Sequence, residues 1–200
     1  MKTNYDNKMM EIINSLDSKK KLLLHSCCGP CSSACIERLK DYFDITVVYY
    51  NPNIEPKEEY EHRKGEQIRL LNEWSIKYID SDYDNESFKD LTKHLALEKE
   101  GGRRCSVCFG IRLKYTAKKA LELGFDYFTT TLTVSPHKNS ELINKIGGSI
   151  GESLGIKYLY SDFKKKEGYK RSIELANAYN LYRQNYCGCL YSKEGNIYEE

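Results

Sequence analysis

Eight cysteines in 200 residues fall into three groups: Cys27, Cys28, Cys31 and Cys35; then Cys105 and Cys108; then Cys187 and Cys189. A thiolate is the ligand of soft metals and iron-sulfur clusters, and a dithiol carries two electrons and two protons, so the first question is which of these cysteines converge. Cys105 and Cys108 have the C-x-x-C spacing, in which a turn aims both sulfurs the same way, as in zinc ribbons and iron-sulfur sites. In Ser26-Cys27-Cys28-Gly29-Pro30-Cys31 the adjacent pair diverges unless the backbone turns, which Gly29 permits. Divergent neighbours fit the spaced corners of a four-iron cube better than the ligand shell of one zinc ion. Cys28 and Cys31 also form the C-G-P-C tetrapeptide of thioredoxin-type oxidoreductases, where a helix N-terminus lowers one thiol pKa. That reading leaves Cys27, Cys105, Cys108 and the C-terminal pair without a task. Cys187-Gly188-Cys189 allows a strained, labile disulfide across a very small ring, or a further pair of metal ligands. Cys35, four residues after Cys31 on an expected helix, suits a small buried core position.

So many thiols in a chain of this kind call for chemistry, because a reducing cytosol denies them structural disulfides. A cytoplasmic location is expected: Met1 to Asn7 is polar with no apolar signal region behind it, and no apolar stretch is long enough to cross a bilayer. The 31 basic and 29 acidic residues give a net charge of only +2. There is no overall field for nonspecific nucleic-acid binding, and any such contact must come from a patch. The candidates are Lys19 to Lys21, Arg103 with Arg104, and the run Lys164, Lys165, Lys166, Lys170 and Arg171, each of which is otherwise a solvated surface.

The elements that must position these residues read as alternating strands and helices over one domain, 1–200, with 40% hydrophobic and 30% charged residues. Strands are expected at Lys21 to His25, Ile45 to Tyr50, Ile76 to Ile79, Tyr127 to Leu132 and Lys157 to Tyr160. Helices are expected through Ile36 to Leu39, from Pro56 to about Glu73, from Phe109 to Leu121 before Gly124, over Ser140 to Leu154 before Gly155, and around Ser172 to Tyr182. Residues about 81–104 form an excursion with a helix near Ser87 to Glu98, and 186–190 carry the last cysteine motif. The pattern predicts an α/β fold with a parallel sheet flanked by helices. Ligands in such sheets sit beyond the carboxyl ends of the strands, where the first loop, His25 to Cys31, emerges.

Several segments together resemble a known family. They are Leu24-His25-Ser26-Cys27-Cys28-Gly29-Pro30-Cys31, Tyr49-Tyr50-Asn51-Pro52-Asn53-Ile54, Arg104-Cys105-Ser106-Val107-Cys108, and Tyr182-Arg183-Gln184-Asn185-Tyr186-Cys187-Gly188-Cys189. Thr131 to Lys138 and Phe163 to Tyr169 add to the likeness, which covers nearly the whole chain and is to the QueH family of epoxyqueuosine reductases. The resemblance implies a Rossmann-type fold similar to the adenine-nucleotide alpha hydrolase and PP-loop (HUP) group, with cysteines where that group binds phosphate. It implies a [4Fe-4S] cluster held by Cys27, Cys28, Cys105 and Cys108, and a redox-active disulfide between Cys187 and Cys189. An additional mononuclear iron is also implied, for which Cys31 is the candidate ligand.

The implied reaction is the last step of queuosine formation in tRNA, loss of the epoxide oxygen at the cost of two electrons and two protons. Its partners are a tRNA carrying epoxyqueuosine in the anticodon loop and an electron donor that the sequence does not identify, with no membrane. Tyr169 and Tyr186 then become stacking candidates and Lys164 to Arg171 phosphate contacts. His137, Tyr186 and Asp162 are polar groups to consider as proton donors, and none is assigned. Two alternatives stand beside this reading: an iron-sulfur PP-loop-like tRNA sulfur transferase, which needs ATP, and a zinc-stabilised RNA-binding module, which is colourless.

Overall fold

A computed structural model describes residues 3–195. Of the expected 1–200 span, residues 1–2, with the start of the polar N-terminal stretch, and 196–200 lie outside the described residues. Five parallel strands form one sheet: β1 (Lys20–His25), β2 (Phe43–Val48), β3 (Lys77–Ile79), β4 (Tyr127–Thr130) and β5 (Lys157–Tyr158), in the order β3-β2-β1-β4-β5. Side chains alternate across β1, so Leu22 and Leu24 enter one core and Leu23 the other. All three are fully buried, as a central parallel strand covered on both faces requires. Each contributes about 1.5–3 kcal/mol by leaving water.

The helices are α1 (Tyr5–Asn14), α2 (Gly29–Leu39), α3 (Lys57–Glu73), α4 (Asn85–Thr92), α5 (Arg103–Glu122), α6 (Ser140–Leu154), α7 (Gly168–Ala178) and α8 (Leu190–Gly195). Met9 and Ile13 of α1, Ile36 and Leu39 of α2 and Leu71 of α3 cover one face of the sheet. Phe109, Leu113, Ala117 and Ala120 of α5, with Ile143 of α6, cover the other. The chain runs outward from β1 through β2 to β3, then returns to lay β4 on the opposite side of β1. The switch point therefore falls between β1 and β4, and the loops leaving their carboxyl ends border the crevice where open α/β sheets bind ligands.

Several boundaries differ from the sequence reading. Helix α1 was not anticipated, although Tyr5, Met9 and Ile13 share a buried stripe and Asn4 caps it by accepting from the N–H groups of Asp6 and Asn7. Helix α2 starts at Gly29 rather than near Ile36, with Pro30 in its first turn. Helix α5 starts at Arg103, so Cys105 and Cys108 lie on a helix and not on a turn. The excursion helix is split into α4 and a short 3-10 turn at Lys93–Leu95. Helix α7 begins before Ser172 and ends before Tyr182, since Asn180 takes a φ of 47°. Gly124 and Gly155 end α5 and α6 as expected, at φ 70° and 74°.

Candidate active site

The loop after β1 is held by groups from three other elements. Ser26 N–H donates to Val48 O at 2.9 Å, prolonging the ladder by one residue, and Asn51 Nδ2 donates to Ser26 O at 2.9 Å. Ser26 Oγ donates to Gln67 Oε1 at 2.5 Å, and Gln67 Nε2 in turn donates to Ser32 Oγ at 2.9 Å. Cys28 occupies the N-cap of α2 in an extended conformation, which places Cys31 on the same end of the helix three residues later. The sulfurs of Cys27, Cys28 and Cys31 lie within 4.8 Å of one another. Among the described residues this is the group of three or more metal-binding side chains so gathered, and Cys105 and Cys108 are outside it. Cys27 N–H donates to Thr131 Oγ1 at 3.2 Å, tying the loop to the turn that follows β4. Contacts from Cys28 and Cys31 hold the Cys27 thiol well below the usual range, and the same contacts push both partners up.

Two adjoining cavities open here. The larger, about 390 Å³, is lined by Cys27, Cys28, Cys31, Arg112, Lys138 and Cys187 among others. The smaller, about 30 Å³, is lined by Asn53, Cys105, Cys108, Cys187 and Cys189, and again by Lys138. Cys187 and Lys138 thus border both. Spacing on α5 turns Cys105 and Cys108 to one side of the helix. Burial pushes the Cys105 and Cys189 thiols up and Cys108 up to about 12. Lys138 is drawn towards its charged form first by Cys187, and it makes no salt bridge among the described residues. Cys35 is fully buried in the core beside α1 and has no place in the site.

The C-terminal cysteine pair is strapped to α3. Arg63 donates to Cys187 O at 3.3 Å and Tyr186 O at 3.5 Å, while its Nε pairs with Glu59 at 2.6 Å. Glu55 N–H donates to Gly188 O at 2.8 Å, Tyr186 Oη donates to Glu55 O at 3.0 Å, and Tyr182 N–H donates to Glu66 at 2.9 Å. Gly188 sits at φ 109°, and a Cβ there would lie 2.9 Å from Ile54 Cγ1 and 3.0 Å from Arg63 Nη1. Only glycine accommodates both the torsion and the approach. All eight cysteines are free thiols in this structure.

The proton-donor candidates separate. His137 lines both cavities, Tyr186 lines the larger one, and Asp162 lines neither and is paired with Lys164 at 2.7 Å. The basic run read as a phosphate contact is largely neutralised where it stands. Lys166 pairs with Asp6, Lys170 with Glu167, and Arg171 with both Glu37 and Glu174. Arg104 is buried and donates to the carbonyls of Leu95, Ala96 and Glu98, and Lys20 and Lys21 begin β1, at the edge opposite the cavities. Among the described residues, the cations that line the larger cavity without a salt bridge are Lys138, Arg183 and the buried Arg112, and Tyr169 lines it too. Arg63, Gln67 and Arg112 went unread in the sequence because a lone polar residue on a helix carries no periodic signal.

Known proteins resemble this chain in sequence and in fold. The family described as epoxyqueuosine reductase QueH matches residues 22–195. The epoxyqueuosine reductase QueH of Staphylococcus epidermidis is 45% identical over 96% of this chain and 85% of its own length. That of Thermotoga maritima is 34% identical over 86% of this chain and 89% of its own. Among solved structures, the U34-tRNA thiolase NcsA from Methanococcus maripaludis with its [4Fe-4S] cluster superposes with a TM-score of 0.58 at 18% identity, covering 94% of this chain and 67% of that one. That likeness is one of fold, a PP-loop-like parallel sheet with flanking helices. Matched from its first strand to its last helix, the chain belongs to the epoxyqueuosine reductase QueH family of oxidoreductases.

Proposed function

We propose that this chain removes the epoxide oxygen of epoxyqueuosine in the anticodon loop of a tRNA, leaving the alkene of queuosine, at the larger cavity. The observation that carries the reading is the position of Cys187, which borders Cys27, Cys28 and Cys31 in one cavity and Cys105, Cys108 and Cys189 in the next. The donor set suits a [4Fe-4S] cluster, with Cys27, Cys28, Cys105 and Cys108 as the proposed ligands bridging the two cavities. Asn53 supports the fit: it is 1% exposed, and neither atom of its amide has a partner in the cavity that Cys105 and Cys108 line. Anionic sulfur is an acceptor for such an N–H group. The solved thiolase carries a [4Fe-4S] cluster on the same fold, which favours the same cofactor here. Cys31, held beside Cys27 and Cys28, is the candidate ligand of a separate mononuclear iron. When bound, a cluster of this kind supplies single electrons at low potential.

The chain's own contribution is the dithiol. As the S–H bonds of Cys187 and Cys189 break and an S–S bond forms, two C–O bonds of the epoxide break and its oxygen leaves with both protons as water. Burial keeps Cys189 protonated near neutral pH, so it holds its proton until that step. An external electron donor then returns the disulfide to thiols. In this reading Lys138 and Arg183, which line the larger cavity, meet the tRNA backbone, and Tyr169 and Tyr186 stack on loop bases.

Anaerobic purification with iron and sulfide analysis, followed by nucleoside mass spectrometry of epoxyqueuosine-tRNA, tests the proposal. Four irons with four sulfides and a substrate lighter by one oxygen atom support it. A fifth iron would mark the Cys31 site. A colourless zinc protein that leaves the tRNA unchanged overturns it, as does ATP-dependent sulfur incorporation, the chemistry of the thiolase reading.

A further inference from the structure

Arg112 is a buried cation with no carboxylate partner among the described residues. It lies on α5 one turn after Cys108 and is 2% exposed. Its Nη2 donates to Asn51 Oδ1 at 2.5 Å, its Nε approaches His25 Nε2 at 3.3 Å, and its Nη1 lies 3.9 Å from Cys108 Sγ. Asn51 offers a neutral amide oxygen, and His25 is fully buried beside the guanidinium. Among the described residues Arg112 makes no salt bridge with a carboxylate. A guanidinium withdrawn from water needs compensation, and the sulfur groups around it are Cys108 Sγ at 3.9 Å, with Cys27 and Cys187 lining the same cavity.

The side chain is also fixed. Asn51 holds the guanidinium through Oδ1 and the Cys27 loop through Nδ2, which donates to Ser26 O. His25 Nδ1 lies 2.8 Å from Thr130 Oγ1, so the ring that Arg112 approaches is anchored on β4. The charge therefore sits at a set place between the loop after β1 and α5, the two elements that contribute the proposed ligands. Tight bonds to this loop would also suit a plain structural tie, and the two roles differ in what they do to a bound centre.

We propose that Arg112 is the built-in counter-charge of the thiolate-held centre, a positioning residue that favours loading and stabilises the reduced, more negative state. This inference rests on the iron-sulfur reading. A cluster held by thiolates is net negative and gains further negative charge on reduction, so a fixed neighbouring cation raises its potential.

Arg112→Gln removes the charge and keeps a donor for Asn51, and Arg112→Lys keeps the charge and loses the fork. Both are compared with wild type after anaerobic reconstitution, by iron content and by optical or electron paramagnetic redox titration. R112Q is expected to lower the one-electron reduction equilibrium at least tenfold, about 59 mV, and to load less iron, with R112K restoring most of both. A potential in R112Q equal to wild type overturns the proposal, as does an R112K shifted as far as R112Q. A metal-free R112Q that fails to fold overturns it too, because Arg112 would then be a tie of the bare fold. If wild type itself takes up no iron and sulfide, the iron-sulfur reading fails, an outcome distinct from any difference between the variants.

Discussion

Replacing Gly188 by alanine isolates the strap that holds the C-terminal cysteine pair. Its φ of 109° is open to glycine, and forcing a side chain into such a region costs about 1–3 kcal/mol. The added Cβ would stand 2.9 Å from Ile54 Cγ1 and 3.0 Å from Arg63 Nη1, so Arg63 must move. That displaces its bonds to Cys187 O and Tyr186 O, worth about 1.5–3 kcal/mol when one partner is charged. Part of this is recovered by water as the segment lifts, leaving a local shift of about 3 kcal/mol, or roughly a hundredfold in the closed-to-open ratio. The sheet and its two cores are untouched, so the global melting temperature should change little. Turnover of epoxyqueuosine-tRNA should fall by about one to two orders of magnitude, and hydrogen exchange over 182–189 should quicken. A Gly188→Ala protein with wild-type turnover and unchanged exchange would refute the strap.

Cys187→Ser should abolish multiple turnover while leaving iron content intact, whereas Cys105→Ala should lose the brown absorbance; full turnover in the first variant sinks the dithiol role. Lys138→Ala and Arg183→Ala should each reduce the slope of tRNA affinity against salt by about one, measured by filter binding across a salt series. Arg171→Ala, a cation already paired twice, should leave that slope unchanged. Glu66 is held below its ordinary pKa of 4.5 first by Arg69, with help from Tyr182 N–H. A depressed carboxylate contributes stability that is present above 4.5 and lost as pH falls through the lower folded value. Acidification below 4.5 should therefore loosen the strap, and Glu66→Gln should flatten that part of the hydrogen-exchange profile.

The alternation of strands and helices was legible because β-branched and aromatic runs at Ile45 and Tyr127 are short and end in turn residues. Helix starts were least legible where the cysteines sit. The first turns of α2 and α5 read Gly-Pro-Cys-Ser and Arg-Arg-Cys-Ser, which give no apolar period, and the usable signals were Pro30 and Gly102. Strand β2 ends at Val48 and not at Tyr50, because Tyr49 and Tyr50 turn into the loop that carries Asn51 to the site. The cysteines could be read directly, since a thiol announces its chemistry by type and spacing. Arg63 and Arg112 could not, because the groups they tie into the site, Cys187 and His25, lie 124 and 87 residues away in the chain.

The charged residues reverse the usual expectation that clusters of lysine mark the binding surface. Lys170 and Arg171 belong to a run that finds carboxylates three residues away along the same helix, or just across on α2. Consecutive surface cations meet such partners easily, and each exposed pair is worth at most about 1 kcal/mol. A single arginine inside a core has no such outlet, and its burial persists only where something nearby returns the lost hydration. Arg63 has Glu59 and two backbone carbonyls for that purpose. Arg112 has an amide, an imidazole and thiols. Its missing carboxylate and the unpartnered amide of Asn53 flank the same sulfur groups from opposite cavities, so the polar imbalance of the bare chain converges where the proposed ligands meet.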